Sequence, residues 1–168
     1  CEKKFSYNLV KYKIDNLKLI YLKNKNLLSN EVALSAAQIA QDKKIRDIVH
    51  EFQQKCAYQP PKKYSGSVLD GRDIITVQLK DAMFKFFITA SLKIRAERRF
   101  NQFVKDNKDI SYEQVLSDLR ERDVQDKNRK HSPLQKAKGA VVIDNSDYNF
   151  EETINIVKNI IFSRIPSL

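Results

Sequence analysis

The chain has 168 residues, 42% of them hydrophobic, which is enough for one domain with a core of ordinary size. It carries 31 basic and 21 acidic residues and a net charge of +10, which favours anionic partners such as nucleotides or nucleic acid. Lysine, asparagine and isoleucine are abundant throughout, so the charge alone selects no partner.

No apolar run approaches the roughly 18 residues of a membrane span, and no signal-peptide pattern opens the chain. The two cysteines and two histidines have no metal-binding spacing. We therefore expect a cytoplasmic protein with no membrane contact and no metal site.

The first third of the chain is predicted to form a hairpin and two helices. Apolar runs at 9–14 and 17–22 flank a turn at 15–16 and predict a β-hairpin, which needs a surface to pack on. Helical spacing of apolar residues predicts two helices joined by a tight turn over about 29–52. Pro60 and its neighbour Pro61 end this block.

The rest of the chain alternates short apolar runs with helical patterns. Strands are predicted at 67–70, 85–90 and 140–144. Helices are predicted from Leu92 to about Val104, from Ser111 onward, and from about Phe150 to Phe162. This alternation predicts an α/β fold, with a parallel sheet covered by helices.

The first candidate site is Asp70-Gly71-Arg72-Asp73, at the end of a predicted strand. Ligands in open α/β sheets bind beyond the carboxyl ends of the strands. Glycine permits a sharp turn there, the arginine fork suits phosphate oxygens, and Asp73 can accept from an amino group or a hydroxyl. A salt-bridged turn without a ligand explains the same residues.

A second cluster contains Arg122, Asp126 and Arg129, whose spacings of four and three place them on one helix face. Two guanidinium groups flanking a carboxylate can hold a phosphate and a ribose. The alternative is a solvated, internally paired charged face.

A third cluster contains Arg95, Arg98 and Arg99 on the helix after the second predicted strand. Clustered arginines repel one another unless an anion lies between them, and such clamps stabilise a migrating phosphoryl group. Pairing with Glu97 and exposure to solvent is the alternative.

In their order along the chain, these clusters closely resemble the bacterial cytidylate kinase family over about residues 27–162. The matching segments include D-G-R-D-I at 70–74, F-F-I-T-A-S at 86–91, R-A-E-R-R at 95–99, D-K-N-R at 126–129 and V-I-D at 142–144. The resemblance implies a P-loop kinase-like parallel sheet covered by helices. It further implies a small CMP-binding lobe at 1–64, with the remainder of the core at 65–168 and a helical lid at about 92–132.

The resemblance implies transfer of the ATP γ-phosphoryl group to CMP or dCMP by a monomer, with Mg²⁺ accompanying ATP. It assigns cytosine recognition to Arg46 and Asp73, the CMP phosphate to Arg72 and Arg129, the ribose to Arg122 and Asp126, and the ATP phosphates to Arg95, Arg98 and Arg99. Among these, Arg95, Arg98, Arg99 and Arg129 are the predicted catalytic residues.

Three departures from the family pattern are visible. Ala37 replaces a serine that helps to bind the nucleotide, and Ile75 replaces a glycine. The three glycines, at 66, 71 and 139, are followed by Ser, Arg and Ala, so they form no phosphate-binding loop and no ATP cradle can be assigned. We expect the chain to be N-terminally truncated and to lack the loop-bearing central strand, and hence to be unstable and inactive alone.

Three other functions remain open. A catalytically degenerate nucleotide-binding protein fits the changes at Ala37 and Ile75. A nucleic-acid-binding protein fits the charge, but the lysines are dispersed and most phenylalanines follow core patterns, so nucleic acid is not the expected partner. A kinase of the same fold acting on UMP or AMP is the third.

Overall fold

The computed structural model describes residues 6–24, 27, 30–39, 42–128 and 133–165. The chain divides after Asp70 into two compact units, residues 1–70 and 71–168. The first unit contains helices α1 (Tyr7–Asp15), α2 (Asn30–Ile39) and α3 (Lys43–Tyr58), and a 3₁₀ helix at Leu19–Lys23. The second unit contains a π-helical turn at Ile74–Gln78, then β1 (Phe86–Thr89), α4 (Leu92–Lys105), α5 (Tyr112–Asn128), β2 (Val141–Asp144) and α6 (Phe150–Arg164).

The predicted hairpin is wrong, because residues 9–14 belong to α1 and residues 19–23 to the 3₁₀ helix. The Ser6 side chain accepts a hydrogen bond from the backbone N–H of Leu9 and so caps α1. An isolated two-stranded hairpin is marginal in water, whereas a capped helix bonds its backbone locally.

Helices α2 and α3 confirm the predicted helix pair, and α3 packs on α1. Asp42 caps α3 by accepting from the backbone N–H groups of Lys44 and Ile45. Its other oxygen accepts from the Tyr7 hydroxyl of α1 at 2.7 Å. One carboxylate therefore starts α3 and joins it to α1.

Strands β1 and β2 are parallel neighbours, with Phe86 opposite Val141 and Thr89 opposite Asp144. Two of the three predicted strands and their parallel pairing are therefore confirmed. The strand predicted at 67–70 is wrong, since these residues have no regular structure and Val68 is fully exposed. An extended segment becomes a strand only when a neighbouring strand supplies ladder hydrogen bonds. No described strand pairs with these residues, and the Ser67 hydroxyl donates instead to the Cys56 carbonyl.

The segment after Gly71 is compact rather than extended. The carbonyl of Asp73 accepts from the backbone N–H of Val77 at 2.9 Å, and the π-helical turn buries Ile74. Ile75 lies inside this turn, and its φ is not positive. Among the described non-glycine residues, a positive φ occurs at Asn107. Ile75 therefore occupies this position without the backbone strain that a positive φ would cause.

Helices α4 and α5 enclose the core of the second unit. Ala96 and Phe103 of α4 and Val115 of α5 are buried, and partly buried apolar side chains surround them. The predicted caps are present, since Ser91 accepts from the N–H of Ile94 and Ser111 from that of Gln114. This packing fixes the α4 and α5 faces that carry the arginine clusters.

None of the helices in the described ranges combines the length and apolar composition that crossing a lipid bilayer requires.

Candidate functional site

Four arginines line one open cleft of about 360 Å³ in the second unit. Three of them come from α4 and the fourth, Arg122, comes from α5. The α4 arginines are Arg95, Arg98 and Arg99, and Gln102 and Leu119 complete the lining. The structure therefore brings together one complete predicted cluster and one member of another.

Arg95 is held by three hydrogen bonds. Its two terminal nitrogens donate to the two carboxylate oxygens of Asp123 on α5, at 2.9 and 2.7 Å. Its Nε donates to the carbonyl of Ala90, just beyond β1, at 3.0 Å. The pKa of Asp123 is lowered, first by the hydrogen bonds from Arg95 and then by the charges of Arg95, Lys127 and Arg72. Arg95 is thus a fixed cation whose partner stays ionised.

Arg98 is fixed by the loop that follows β2. It donates to the side-chain oxygen of Asn145 at 3.0 Å, to the carbonyl of Asn145 at 2.7 Å and to the carbonyl of Tyr148 at 2.8 Å. All three acceptors are formally neutral, so the Arg98 charge is oriented but not neutralised.

Arg99 and Arg122 are restrained less. Arg99 donates to Gln102 at 2.9 Å, and its guanidinium carbon lies 4.4 Å from the centre of the Phe103 ring. Arg122 is exposed and makes no hydrogen bond or ion pair with the part of the chain that the structure describes. These two cations can turn toward an incoming anion.

Arg72 and Asp126 form an ion pair beside this group. Nε of Arg72 lies 3.2 Å from Oδ2 of Asp126, whose side chain is 1% exposed against 41% for Arg72. Asp126 follows Asp123 by three residues on α5, so one face of that helix receives Arg72 and Arg95. The predicted cluster at 122–129 is therefore divided between the cleft and this buried pair.

The remaining predicted site residues lie elsewhere or outside the description. Asp73 is partly buried and accepts from the Gln78 side chain at 3.1 Å. Arg46 is partly buried on α3 of the first unit. Arg129 lies outside the described residues, as does the side chain of Ala37.

A polar network at the carboxyl ends of the strands was not predicted. The Ser146 hydroxyl donates to Asp144 at 2.6 Å and accepts from the backbone N–H of Ser91 at 2.8 Å. The pKa of Asp144 is lowered, chiefly by this hydroxyl and then by the Ser146 backbone N–H. Together with Asn145, this network joins the start of α4 to the end of β2. Polar residues directly after a predicted strand were the signal that could have identified it.

The cleft lies where an α/β protein holds a ligand. Two residues separate the end of β1 from the start of α4, and Arg98 bonds to the loop that follows β2, so the arginines lie at the carboxyl ends of both strands. A small parallel sheet, joined to helices and bearing a cationic cleft at this edge, defines an α/β protein suited to phosphate-bearing ligands.

Comparison with known proteins identifies the family. The cytidylate kinase family model matches residues 4–163. The cytidylate kinase of Clostridium botulinum strain Langeland is 36% identical over 171 residues, covering 92% of this chain and 76% of that protein. That of strain Loch Maree is 40% identical over 135 residues, covering 80% and 58%. That of Bartonella tribocorum is 41% identical over 130 residues, covering 77% and 59%. The chain belongs to the cytidylate kinase family and is a kinase, as its resemblance predicted.

Proposed function

We propose that this chain serves transfer of the γ-phosphoryl group of ATP to CMP or dCMP, giving CDP or dCDP and ADP. The arginine cleft is the observation that carries the proposal. It gathers four guanidinium groups, and one of them is neutralised by a bidentate carboxylate. Phosphoryl transfer depends on positioning and on neutralising charge spread over phosphate oxygens, which such a cluster supplies.

On the ATP side, the arginines have two roles: two are held in place by the protein, and two move toward the phosphates. Arg95 and Arg98 are held by protein acceptors before any ligand arrives, so they need little reorganisation during the reaction. Arg99 and Arg122 close onto the phosphates. A CMP phosphate oxygen attacks the γ-phosphorus while the bond to the β–γ bridging oxygen breaks and ADP leaves. No covalent enzyme intermediate is needed.

On the acceptor side, Arg72 and Arg129 hold the CMP phosphate, while Arg46 and Asp73 read the cytosine. The partly exposed Arg72, oriented by Asp126, supports the first of these roles. Of the two ribose residues that the resemblance implies, Arg122 and Asp126, Arg122 lines the cleft and is assigned here to the phosphates, so the ribose role of this proposal rests on Asp126. Asp126 is 1% exposed in this conformation, so its ribose contact requires the Arg72–Asp126 pair to rearrange.

Mg²⁺ enters as part of the substrate MgATP. In the described ranges, no three His, Cys, Asp or Glu side chains are grouped so as to hold a metal ion. Mg²⁺ in kinases is held largely by substrate phosphates and water, with few protein ligands. Because none of the three glycines in the sequence matches a phosphate-binding loop, we propose that these 168 residues by themselves bind nucleotides and supply the arginine side of the reaction without completing a turnover. We further propose that the enzyme is a cytoplasmic monomer.

The test measures binding and turnover separately. Calorimetric titration of the 168-residue chain with CMP, dCMP, UMP and AMP should give at least about tenfold tighter binding of the two cytidine nucleotides. Circular dichroism establishes that the protein is folded. Equal binding of all four nucleotides, or no CMP binding by the folded chain, would contradict the proposal. A coupled ADP-release assay tests inactivity, and clear turnover would refute that part alone. Tighter, salt-dependent binding of single-stranded RNA than of CMP would favour a nucleic-acid function instead.

A further inference from the structure

We infer that Asp123 is a positioning residue that holds the Arg95 guanidinium in the orientation in which it meets nucleotide phosphates. This inference rests on the proposed function, because it concerns the same arginine cleft. Asp123 does not line the cleft, whereas Arg95 does. Asp123 therefore acts through Arg95 and does not contact the ligand.

The geometry of the pair supports positioning. Both carboxylate oxygens of Asp123 accept hydrogen bonds from the terminal nitrogens of Arg95, at 2.9 and 2.7 Å, and the Ala90 carbonyl accepts one from Nε at 3.0 Å. A planar fork held at Nε and at both terminal nitrogens cannot rotate without breaking several bonds. Each terminal nitrogen keeps a second N–H to offer to an anion. The side chains are only 32% and 26% exposed, so water competes weakly for these bonds.

Arg95 differs from Arg98 in what holds it. Two of the three bonds to Arg98 go to backbone carbonyls, which no side-chain substitution removes. Two of the three bonds to Arg95 go to the Asp123 side chain. The orientation of Arg95 is therefore the part of the cleft that one carboxylate determines.

Positioning and simple charge balance predict opposite results. If Asp123 only reduced the positive potential of the cleft, neutralising it would tighten anion binding. If it positions Arg95, neutralising it removes a preorganised phosphate contact and weakens binding. Asp123→Asn is nearly isosteric, so it separates these two effects with little change in packing.

The experiment titrates wild type, Asp123→Asn and Glu121→Gln with MgATP and with inorganic tripolyphosphate. Glu121 is the matched control, because it is exposed on the same helix and, among the described residues, its side chain accepts one hydrogen bond, from the Gln125 side chain at 3.2 Å. We expect both probes to bind Asp123→Asn about tenfold more weakly, which corresponds to the loss of roughly one charge-assisted contact. Glu121→Gln should show no comparable loss of affinity. Unchanged or tighter binding to Asp123→Asn would overturn the inference.

A spectroscopic readout distinguishes positioning from a general structural effect. The Nε–H resonance of Arg95 should shift and exchange faster with water in Asp123→Asn, and Asp123→Glu should restore part of the wild-type signal and affinity. Failure of wild type to bind either probe would refute the proposed cleft function, while the resonance would still report the pair. If Asp123→Asn does not fold, Arg95→Lys tests the same idea, since it keeps the charge but loses the fork. We expect the same weakening there, and wild-type affinity would refute the inference.

Discussion

The Nε atom of Arg72 lies 3.2 Å from Oδ2 of Asp126, and the two side chains are 41% and 1% exposed. The arginine can reach water, but the carboxylate cannot. A charge buried to this extent depends on its protein partners, because water no longer solvates it. The pair therefore joins the turn after Gly71 to α5 and places a candidate phosphate-binding arginine beside the cleft.

Removing Arg72 should destabilise the second unit. Arg72→Ala leaves the buried Asp126 carboxylate with one partner fewer, so we expect the free energy of unfolding to fall by about 1–3 kcal/mol. Urea denaturation measures this change. Arg120→Ala is the control, because Arg120 is exposed on α5, the helix of Asp126, and forms no ion pair with the described part of the chain; it should change stability by less than about 0.5 kcal/mol. Equal losses in both variants would contradict a specific role for the pair.

Acid should weaken the Arg95–Asp123 pair. The hydrogen bonds from Arg95, followed by the charges of Arg95 and other nearby cations, lower the pKa of Asp123 in the folded protein. The stabilisation is therefore fully present above the unfolded pKa, about 3.9, and disappears as the pH falls through the lower folded value. The stability difference between wild type and Asp123→Asn should be large at pH 6 and shrink below about pH 4. Urea unfolding at pH 6, 4 and 3 measures it, and a difference independent of pH would rule out this linkage.

Gly71 should not tolerate a side chain. A Cβ atom there would lie 2.8 Å from Cγ1 and 3.2 Å from Cδ1 of Ile74, which is itself 4% exposed. Gly71→Ala must therefore displace a buried residue, at a cost of about 1–3 kcal/mol. Gly66→Ala is the matched control, because apart from its two chain neighbours no atom of the described residues lies within 4 Å of its Cβ position. Thermal unfolding compares the two, and a Gly71→Ala variant as stable as Gly66→Ala would show that Ile74 moves freely.

Local signals were sufficient for helices α2 to α6 and for the two strands, but not for α1. Caps at Ser91 and Ser111, together with apolar stripes, specify α4 and α5 within the segment itself. The failures at 9–22 and 67–70 both concern predicted strands. A strand forms only with a pairing partner, which can be distant in sequence. An apolar run alone therefore does not determine whether a segment becomes a strand.

The site was predictable in its residue types but not in its pairing. Spacing on one helix placed Arg95, Arg98 and Arg99 together, and they do share a cleft. Their partners were missed because Asp123 lies 28 positions from Arg95 and Asn145 lies 47 from Arg98. Such contacts depend on how helices and loops pack, and one sequence does not reveal this.

The central claim is that the arginine cleft binds nucleotide phosphates, and Arg122 tests it most directly. The measurement is the dissociation constant of MgATP for wild type, Arg122→Ala and Arg120→Ala, by calorimetry at one fixed ionic strength. Both substitutions remove one exposed positive charge from α5, but only Arg122 lines the cleft. The account predicts about tenfold weaker binding to Arg122→Ala and little change in Arg120→Ala. Equal affinity in the two variants would show that general charge, not the cleft, attracts the nucleotide, and would contradict the account.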